Sequence, residues 1–228
     1  MTVKITSFVF MNKHRLVTAC IGGLLIFLFA QPALSQEARA PSPEALVEAL
    51  RGGGYSLYFR HAATDWTQQD HVTQRDDWLS CDGNEIRQLS EEGRATSRAI
   101  GQSIKALGIP VGRVLASPYC RTVETAKLMQ LGKVETTTAV MNLRVQDYFG
   151  GSAAIVTTAQ ALLSTPPVAN TNTLIVAHGN VAQAATPVYP GEGEGIIFQT
   201  DDATGFRYVG RITPEDWSRL AETMANPD

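Results

Sequence analysis

The sequence predicts an α/β fold of three layers, in which a mostly parallel central sheet has helices on both faces. Apolar segments of five to six residues, the length of buried strands, alternate along the chain with longer segments of helical periodicity. Such alternation is typical of parallel sheets covered on both sides. The 228 residues, 44% hydrophobic and 18% charged, suit a single globular domain.

Residues 1–35 have the layout of a cleavable signal peptide. An apolar run at 16–30 is followed by the small-residue segment 33–35 and preceded by three basic residues, Lys4, Lys13 and Arg15. A membrane anchor is the alternative, but the run is shorter than the ~20 residues that a span needs. We therefore expect cleavage and no stable anchor afterwards, with Met11 as an alternative start.

The remaining chain, with its single domain at 41–228, is then expected in the periplasm or outside the cell. Cleavage after Ser35 removes three of the 19 basic residues and none of the 22 acidic ones, which leaves 16 basic and 22 acidic residues and a net charge of −6. Binding to a nucleic acid backbone needs a basic surface. The charge balance thus argues against nucleic acid as the main partner, and it leaves room for a local basic pocket inside an acidic protein.

Capping signals assign the first elements in order. Ser42-Pro43-Glu44 begins a helix that three glycines end, and the alternating residues 55–59 form a strand. The polar segment 64–88 has no clear periodicity, which is typical of functional loops, and we interpret His71 within it as a surface residue.

The later elements follow from the same signals. Helices are predicted to begin at Ser90 and near Arg121, and a loop is predicted at 142–151. Two further helices are expected at 153–163 and 217–224. The predicted strands are 111–116, 134–140, 173–177, 195–199 and 206–209.

Three predicted strands end in residues suited to an anionic ligand. Arg60 and His61 end the first strand, Arg121 follows the second closely, and His178 follows the strand 173–177. Carboxyl ends of neighbouring parallel strands meet at one edge of a sheet. Arginine binds phosphate oxygens through paired hydrogen bonds, and a neutral imidazole can attack phosphorus. The sequence therefore predicts a phosphoryl pocket at this edge.

The motifs around these residues resemble the histidine phosphatase superfamily, in particular its phosphoglycerate mutase-like branch and small exported members of it. The resemblance rests on RHAAT at 60–64, LSEEGRATS at 89–97, SPYCRTVETA at 117–126 and AHGN at 177–180. These motifs occur in the family's order and the resemblance covers most of the chain after residue 54. It implies the three-layer α/β fold and a phosphatase that needs no metal and no cofactor.

The resemblance also implies roles for single residues. His61 would be the nucleophile that becomes phosphorylated, while Arg60 and Arg121 would hold the phosphoryl oxygens. His178 would complete the pocket as a further donor. The motifs also contain the substrate-binding candidates Thr64 and Asn180.

The sequence departs from the family where a carboxylic acid should protonate the leaving group. Mutase-like members often place a glutamate in the loop that corresponds to 143–148, where Asp147 is the nearest carboxyl group. Phytase-like members have an aspartate directly after the second histidine, where this chain has Gly179. Glu192 and Glu194 of the glycine-rich PGEGEG segment are further candidates, and Glu194 ranks slightly ahead of Asp147. Ala62 also replaces the glycine of the commonest Arg-His-Gly opening.

Two cysteines remain after signal cleavage, Cys81 and Cys120. In an oxidising compartment they can form a disulfide, and two buried free thiols are the alternative. Together these features predict an exported phosphatase for a small phosphomonoester, such as an envelope sugar phosphate. The alternative is a non-catalytic phosphate-binding or envelope-interaction protein on the same scaffold.

Overall fold

Residues 41–225, which the computed structural model describes, contain one six-stranded sheet. Its strands are β1 Tyr55–Arg60, β2 Val111–Ala116, β3 Val134–Thr136, β4 Asn172–Ala177, β5 Gly195–Asp201 and β6 Gly205–Ile212. Their spatial order is β3-β2-β4-β1-β5-β6. The pairings among β1, β2, β3 and β4 are parallel, whereas β5 pairs antiparallel with both β1 and β6. The predicted mostly parallel sheet is confirmed.

Within the described residues, six helices cover the two faces of this sheet. They are α1 Pro43–Arg51, α2 Glu91–Ala106, α3 Cys120–Met129, α4 Ser152–Leu163, α5 Gly179–Ala185 and α6 Pro214–Ala225. Leu57 and Phe59 of β1 contribute to a core with α1, α2, α3 and α6, whereas Tyr58 contributes to a second core with α4 and α5. Alternate residues of a strand point to opposite faces. The three-layer arrangement is therefore confirmed.

The predicted helix starts depend on side-chain caps that the structure contains. Ser42 accepts a hydrogen bond from the Ala45 N–H, and Ser90 accepts one from the Gly93 N–H. Each hydroxyl satisfies a donor that the first helical turn leaves free. Gly93 also lies where an added Cβ would be 2.0 Å from the Ala63 carbonyl oxygen, so its lack of a side chain lets α2 pack on the loop after β1.

Three elements between β2 and β5 differ from the predictions. The strand predicted at 134–140 ends at Thr136, because the Thr137 side chain accepts from the Ala139 N–H and begins a 3₁₀ turn. The loop predicted at 142–151 contains a second 3₁₀ segment, Leu143–Phe149. Helix α5 was not predicted, since it has only seven residues and no side-chain cap.

The predicted signal peptide lies outside the described residues. Within residues 41–225, no helix combines the length and the apolar character that crossing a membrane requires. All the described elements belong to one compact unit.

The polar segment 64–88 is attached to the rest of the domain by one buried tryptophan and one disulfide. It contains one short 3₁₀ turn, Asp77–Leu79, whose Trp78 is buried against the rings of Tyr148 and Phe149, with centroids 5.4 Å away in each case. A disulfide joins Cys81 of this segment to Cys120, the first residue of α3. The bond therefore ties an irregular segment to a helix start.

Removing this disulfide should lower the free energy of unfolding by roughly 4 kcal/mol, because the bond closes a long loop in the unfolded chain. The two cysteines are 39 residues apart. Urea unfolding of the wild type and of the Cys81→Ser/Cys120→Ser variant would measure the difference. Dithiothreitol should destabilise the wild type and leave the double variant unchanged. Equal stabilities of wild type and variant would contradict the prediction.

Candidate active site

Two histidines lie side by side at the carboxyl edge of the sheet. The pairing of β1 with β4 places Arg60 opposite Ala177, so the next residues, His61 and His178, are neighbours. Their ring centroids are 5.8 Å apart and both side chains are buried. The sheet register thus brings together two residues that are distant in sequence.

Two hydroxyl groups fix the backbone around these histidines. The Tyr58 hydroxyl donates to the His178 carbonyl at 2.8 Å and accepts from the His178 N–H at 3.2 Å. Thr125 of α3 accepts from the Ala62 N–H at 3.2 Å and donates to the Arg121 carbonyl at 2.7 Å. These hydrogen bonds link the backbone near both histidines to β1 and to the start of α3.

His61 has a defined tautomer. Its Nδ1 lies 2.9 Å from the Ala62 carbonyl oxygen, which can only accept, so Nδ1 must carry a proton. Burial, and then the charge of Arg121, lower the pKa of His61 well below its usual value. The imidazole is therefore neutral near pH 7, and its Nε2 carries the lone pair that can act as a nucleophile.

His178 is a second neutral imidazole in the site. Burial lowers its pKa well below the usual value, and the charge of Arg121 adds to this effect. Its Nε2 lies 2.9 Å from the Ser117 hydroxyl, which follows β2, and its ring meets the edge of Tyr119 at 4.8 Å. Among the described residues, Nδ1 of His178 has no hydrogen-bond partner.

The histidines line a cavity of about 190 Å³ that is rich in arginine. Its walls include four arginines, Arg60, Arg87, Arg121 and Arg144. Among the described residues of the lining, Asp70 is the one carboxylate. The cavity therefore suits an anion. In the described part of the chain, no group of three or more His, Cys, Asp or Glu is placed to hold a metal ion.

Arg121 is held by a buried ion pair. Its two terminal nitrogens donate to the two Asp70 oxygens at 2.8 and 3.0 Å, and only 1% and 5% of the two side chains are exposed. One of these nitrogens also donates to the Arg87 carbonyl at 3.2 Å. Asp70 thus sets the orientation of the guanidinium plane.

Arg60 also lines the cavity, and Glu192 is its counter-ion at 3.2 Å. It also donates to the hydroxyl of Tyr189 at 3.5 Å. Thr64 donates to the same Glu192 oxygen at 3.3 Å and lines an adjacent cleft. Of the predicted substrate-binding residues, Arg60, Arg121 and Asn180 therefore line the histidine cavity and Thr64 does not.

Neither acid favoured from the sequence lines this cavity. Glu194 accepts from the Gly191 N–H at 2.7 Å and from Arg211 at 3.2 Å, so its carboxylate closes the glycine-rich turn. Asp147 is exposed within a 3₁₀ segment. Their side chains are directed to other contacts or to solvent, so the structure lends no support to either residue as the leaving-group acid.

An acidic side chain at position 179, directly after His178, would be sterically crowded. A Cβ added at Gly179 would lie 3.0 Å from the Tyr189 ring and 3.2 Å from the Arg60 Cδ atom. Glycine at this position therefore allows Tyr189 and Arg60 to approach the chain after β4.

Sequence reasoning missed several residues of the lining. The polar segment contributes Trp66, Asp70 and Arg87, while the loop after β3 contributes Asn142 and Arg144. The available signal was the long polar segment itself, which indicated a functional loop without identifying its contacts.

Asn180, a predicted substrate-binding residue, lines the cavity. Its amide nitrogen donates to Asn142 Oδ1 at 2.8 Å. Its own Oδ1 is buried without a partner among the described residues, which leaves an acceptor for a ligand.

Comparisons with known proteins find a family profile and solved structures that are similar to this chain. Residues 57–155 match the sequence profile of the histidine phosphatase superfamily, branch 1. The solved structure of the protein histidine phosphatase SixA complexed with tungstate has a TM-score of 0.51 and 15% identity, over 71% of this chain and 98% of that one. A phosphoserine phosphatase from Entamoeba histolytica has a TM-score of 0.48 and 11% identity, over 71% and 98%. No curated protein sequence matches significantly.

Proposed function

We propose that this chain, which belongs to the histidine phosphatase superfamily, hydrolyses a small phosphomonoester through a phosphohistidine intermediate on His61. One observation carries the proposal. His61 is neutral, its Nδ1 is occupied by the Ala62 carbonyl, and the ring lines a cavity with four arginines. The proposed nucleophile thus lies beside groups that would neutralise phosphate charge.

The reaction takes place in two displacements at phosphorus. In the first, the Nε2 lone pair of His61 forms the P–N bond as the P–O bond to the substrate breaks, and the departing oxygen takes up a proton from solvent water. In the second, water forms a new P–O bond and loses a proton to solvent while the P–N bond breaks. This releases inorganic phosphate and restores the neutral imidazole. The arginines balance the charge of the phosphoryl oxygens in both steps.

The remainder of the substrate would lie at the cavity mouth. Trp66 and Tyr189 line the cavity and remain 66% and 50% exposed, which is unusual for large aromatic side chains. Such rings provide a surface for a flat apolar face of a sugar, so an envelope sugar phosphate is our proposed substrate class. The signal-peptide layout supports action in the periplasm or outside the cell, where disulfides persist.

A non-catalytic phosphate-binding or envelope-interaction protein is the second candidate. One observation favours it, namely that neither Glu194 nor Asp147 lines the cavity with His61. Such a protein would bind phosphate through the same arginines and would form no covalent intermediate.

Rapid-quench trapping with radiolabelled 4-nitrophenyl phosphate distinguishes the two functions. We expect label that is labile in acid, stable in base and confined to the peptide containing His61. The peptide containing the exposed loop residue His71 serves as the internal control and should stay unlabelled. Turnover with label on another residue would refute the proposed mechanism. Phosphate binding without label or turnover would establish the non-catalytic function.

A further inference from the structure

Arg87 is a half-buried cation of the cavity wall without a counter-ion among the described residues. Arg60 is paired with Glu192 and Arg121 with Asp70, whereas Arg87 forms no ion pair within residues 41–225. Its Nε is buried and has no hydrogen-bond partner there. Burying an unpaired charge is costly, and a bound anion would offset that cost.

The surrounding contacts fix the position of this guanidinium. The Arg87 N–H donates to Asp70 Oδ1 at 3.1 Å, and its carbonyl accepts from Arg121 at 3.2 Å, so its backbone is part of the Asp70–Arg121 network. Its guanidinium carbon lies 4.0 Å from the centroid of the Trp66 ring. Stacking on an aromatic face holds the guanidinium plane while leaving its N–H donors free for a ligand.

The charge balance of the cavity supports a dianionic ligand. The four arginines of the lining contribute four positive charges, while Asp70 and the Arg60-bound Glu192 contribute two negative ones. Burial, and then the nearby charge of Arg121, lower the pKa of Arg87. A lowered pKa means that the charged form of the guanidinium is destabilised in this cavity, and a bound anion would stabilise it.

We infer that Arg87 is a third guanidinium ligand of the phosphoryl group, held in position by Trp66. The inference rests on the proposed function and adds a catalytic residue to it. Arg121 already uses both terminal nitrogens on Asp70, and Arg60 uses one on Glu192. Arg87 therefore supplies N–H donors that no carboxylate of the described chain occupies.

Substitution of Arg87 tests the inference directly. We expect Arg87→Ala to weaken the binding of inorganic phosphate about 10- to 100-fold, the loss typical of hydrogen bonds to charged groups. The kcat/KM for 4-nitrophenyl phosphate should fall by at least as much. Arg87→Lys should retain part of the affinity, and added guanidinium chloride at millimolar concentration should partly rescue Arg87→Ala.

Arg75 offers a matched control in the same segment. It stacks on Tyr148 and Phe149 with distances of 5.9 and 5.5 Å to their centroids, and it does not line the cavity. Arg75→Ala should therefore leave the affinity for phosphate unchanged.

Two outcomes would overturn the inference. One is unchanged phosphate affinity in Arg87→Ala, and the other is a weakened affinity that neither lysine nor guanidinium restores and that a lowered Tm accompanies. Calorimetry with inorganic phosphate needs no turnover, so it reports on Arg87 independently of the phosphohistidine. Failure to trap label on wild-type His61 would count against the proposed function alone.

Discussion

Replacing His61 with alanine is expected to abolish the phosphoenzyme and to lower kcat/KM by about 10⁴-fold or more, as loss of a nucleophile typically does. The reason is positional, because Nδ1 of His61 is committed to the Ala62 carbonyl and only Nε2 can attack phosphorus. We do not expect His178 to replace it, since the equivalent nitrogen of that ring, Nε2, is already 2.9 Å from the Ser117 hydroxyl. Steady-state kinetics with 4-nitrophenyl phosphate, together with trapping, would measure both losses.

Two further variants make the His61 result interpretable. His61→Asn keeps a side-chain amide that can donate to the Ala62 carbonyl but has no Nε2, so we expect it to fold, bind phosphate and remain inactive. His71→Ala removes an exposed histidine whose known contact is a backbone hydrogen bond to Glu85, and it should keep full activity. Near-normal hydrolysis by a folded His61→Asn protein would contradict the nucleophilic role.

The site residues that could be predicted are those that directly follow a strand which the local sequence pattern identifies. His61 and His178 follow buried strands of unambiguous composition, so placing the strands in one parallel sheet also placed these residues at one edge. The same reasoning placed Arg121 just after β2. The α/β layering could be predicted for the same reason, since the alternation of elements leaves few arrangements.

The remaining lining depends on contacts that no local pattern encodes. Asp70 contacts Arg121 from 51 positions away, and Arg87 contacts the same side chain from 34 positions away. Both residues belong to the polar segment 64–88, whose path is set by the burial of Trp78 and by the disulfide. The carboxylate favoured from the sequence, Glu194, is involved in a turn contact with Gly191 that composition alone does not indicate.

The Asp70–Arg121 pair should show the largest stability effect of any single site in the cavity. Arg121→Met would leave the Asp70 carboxylate buried and unpaired, and we expect the free energy of unfolding to fall by about 3–5 kcal/mol. Asp70→Leu should cost a similar amount by leaving the guanidinium unpaired. The double variant should recover most of the loss, because no uncompensated charge remains. Urea unfolding of the four proteins gives the coupling energy.

An exposed ion pair serves as the reference for this coupling energy. Arg113 and Glu135 are 2.9 Å apart, but their side chains are 47% and 48% exposed, so the same cycle there should give about 1 kcal/mol or less. A coupling energy for Asp70–Arg121 no larger than this would contradict the prediction.

Activity separates the two roles of the buried pair. If Arg121 holds phosphoryl oxygens, the double variant should regain stability while its kcat/KM stays about 10²- to 10³-fold below wild type, the loss expected for one preorganised donor. Recovery of both stability and hydrolysis in the Arg121→Met/Asp70→Leu protein would show that the pair only supports the fold. In that event, the charge that phosphate requires would have to come from Arg60, Arg87 and Arg144, which line the same cavity. The double variant therefore tests the catalytic assignment of Arg121 without the confounding effect of a destabilised protein.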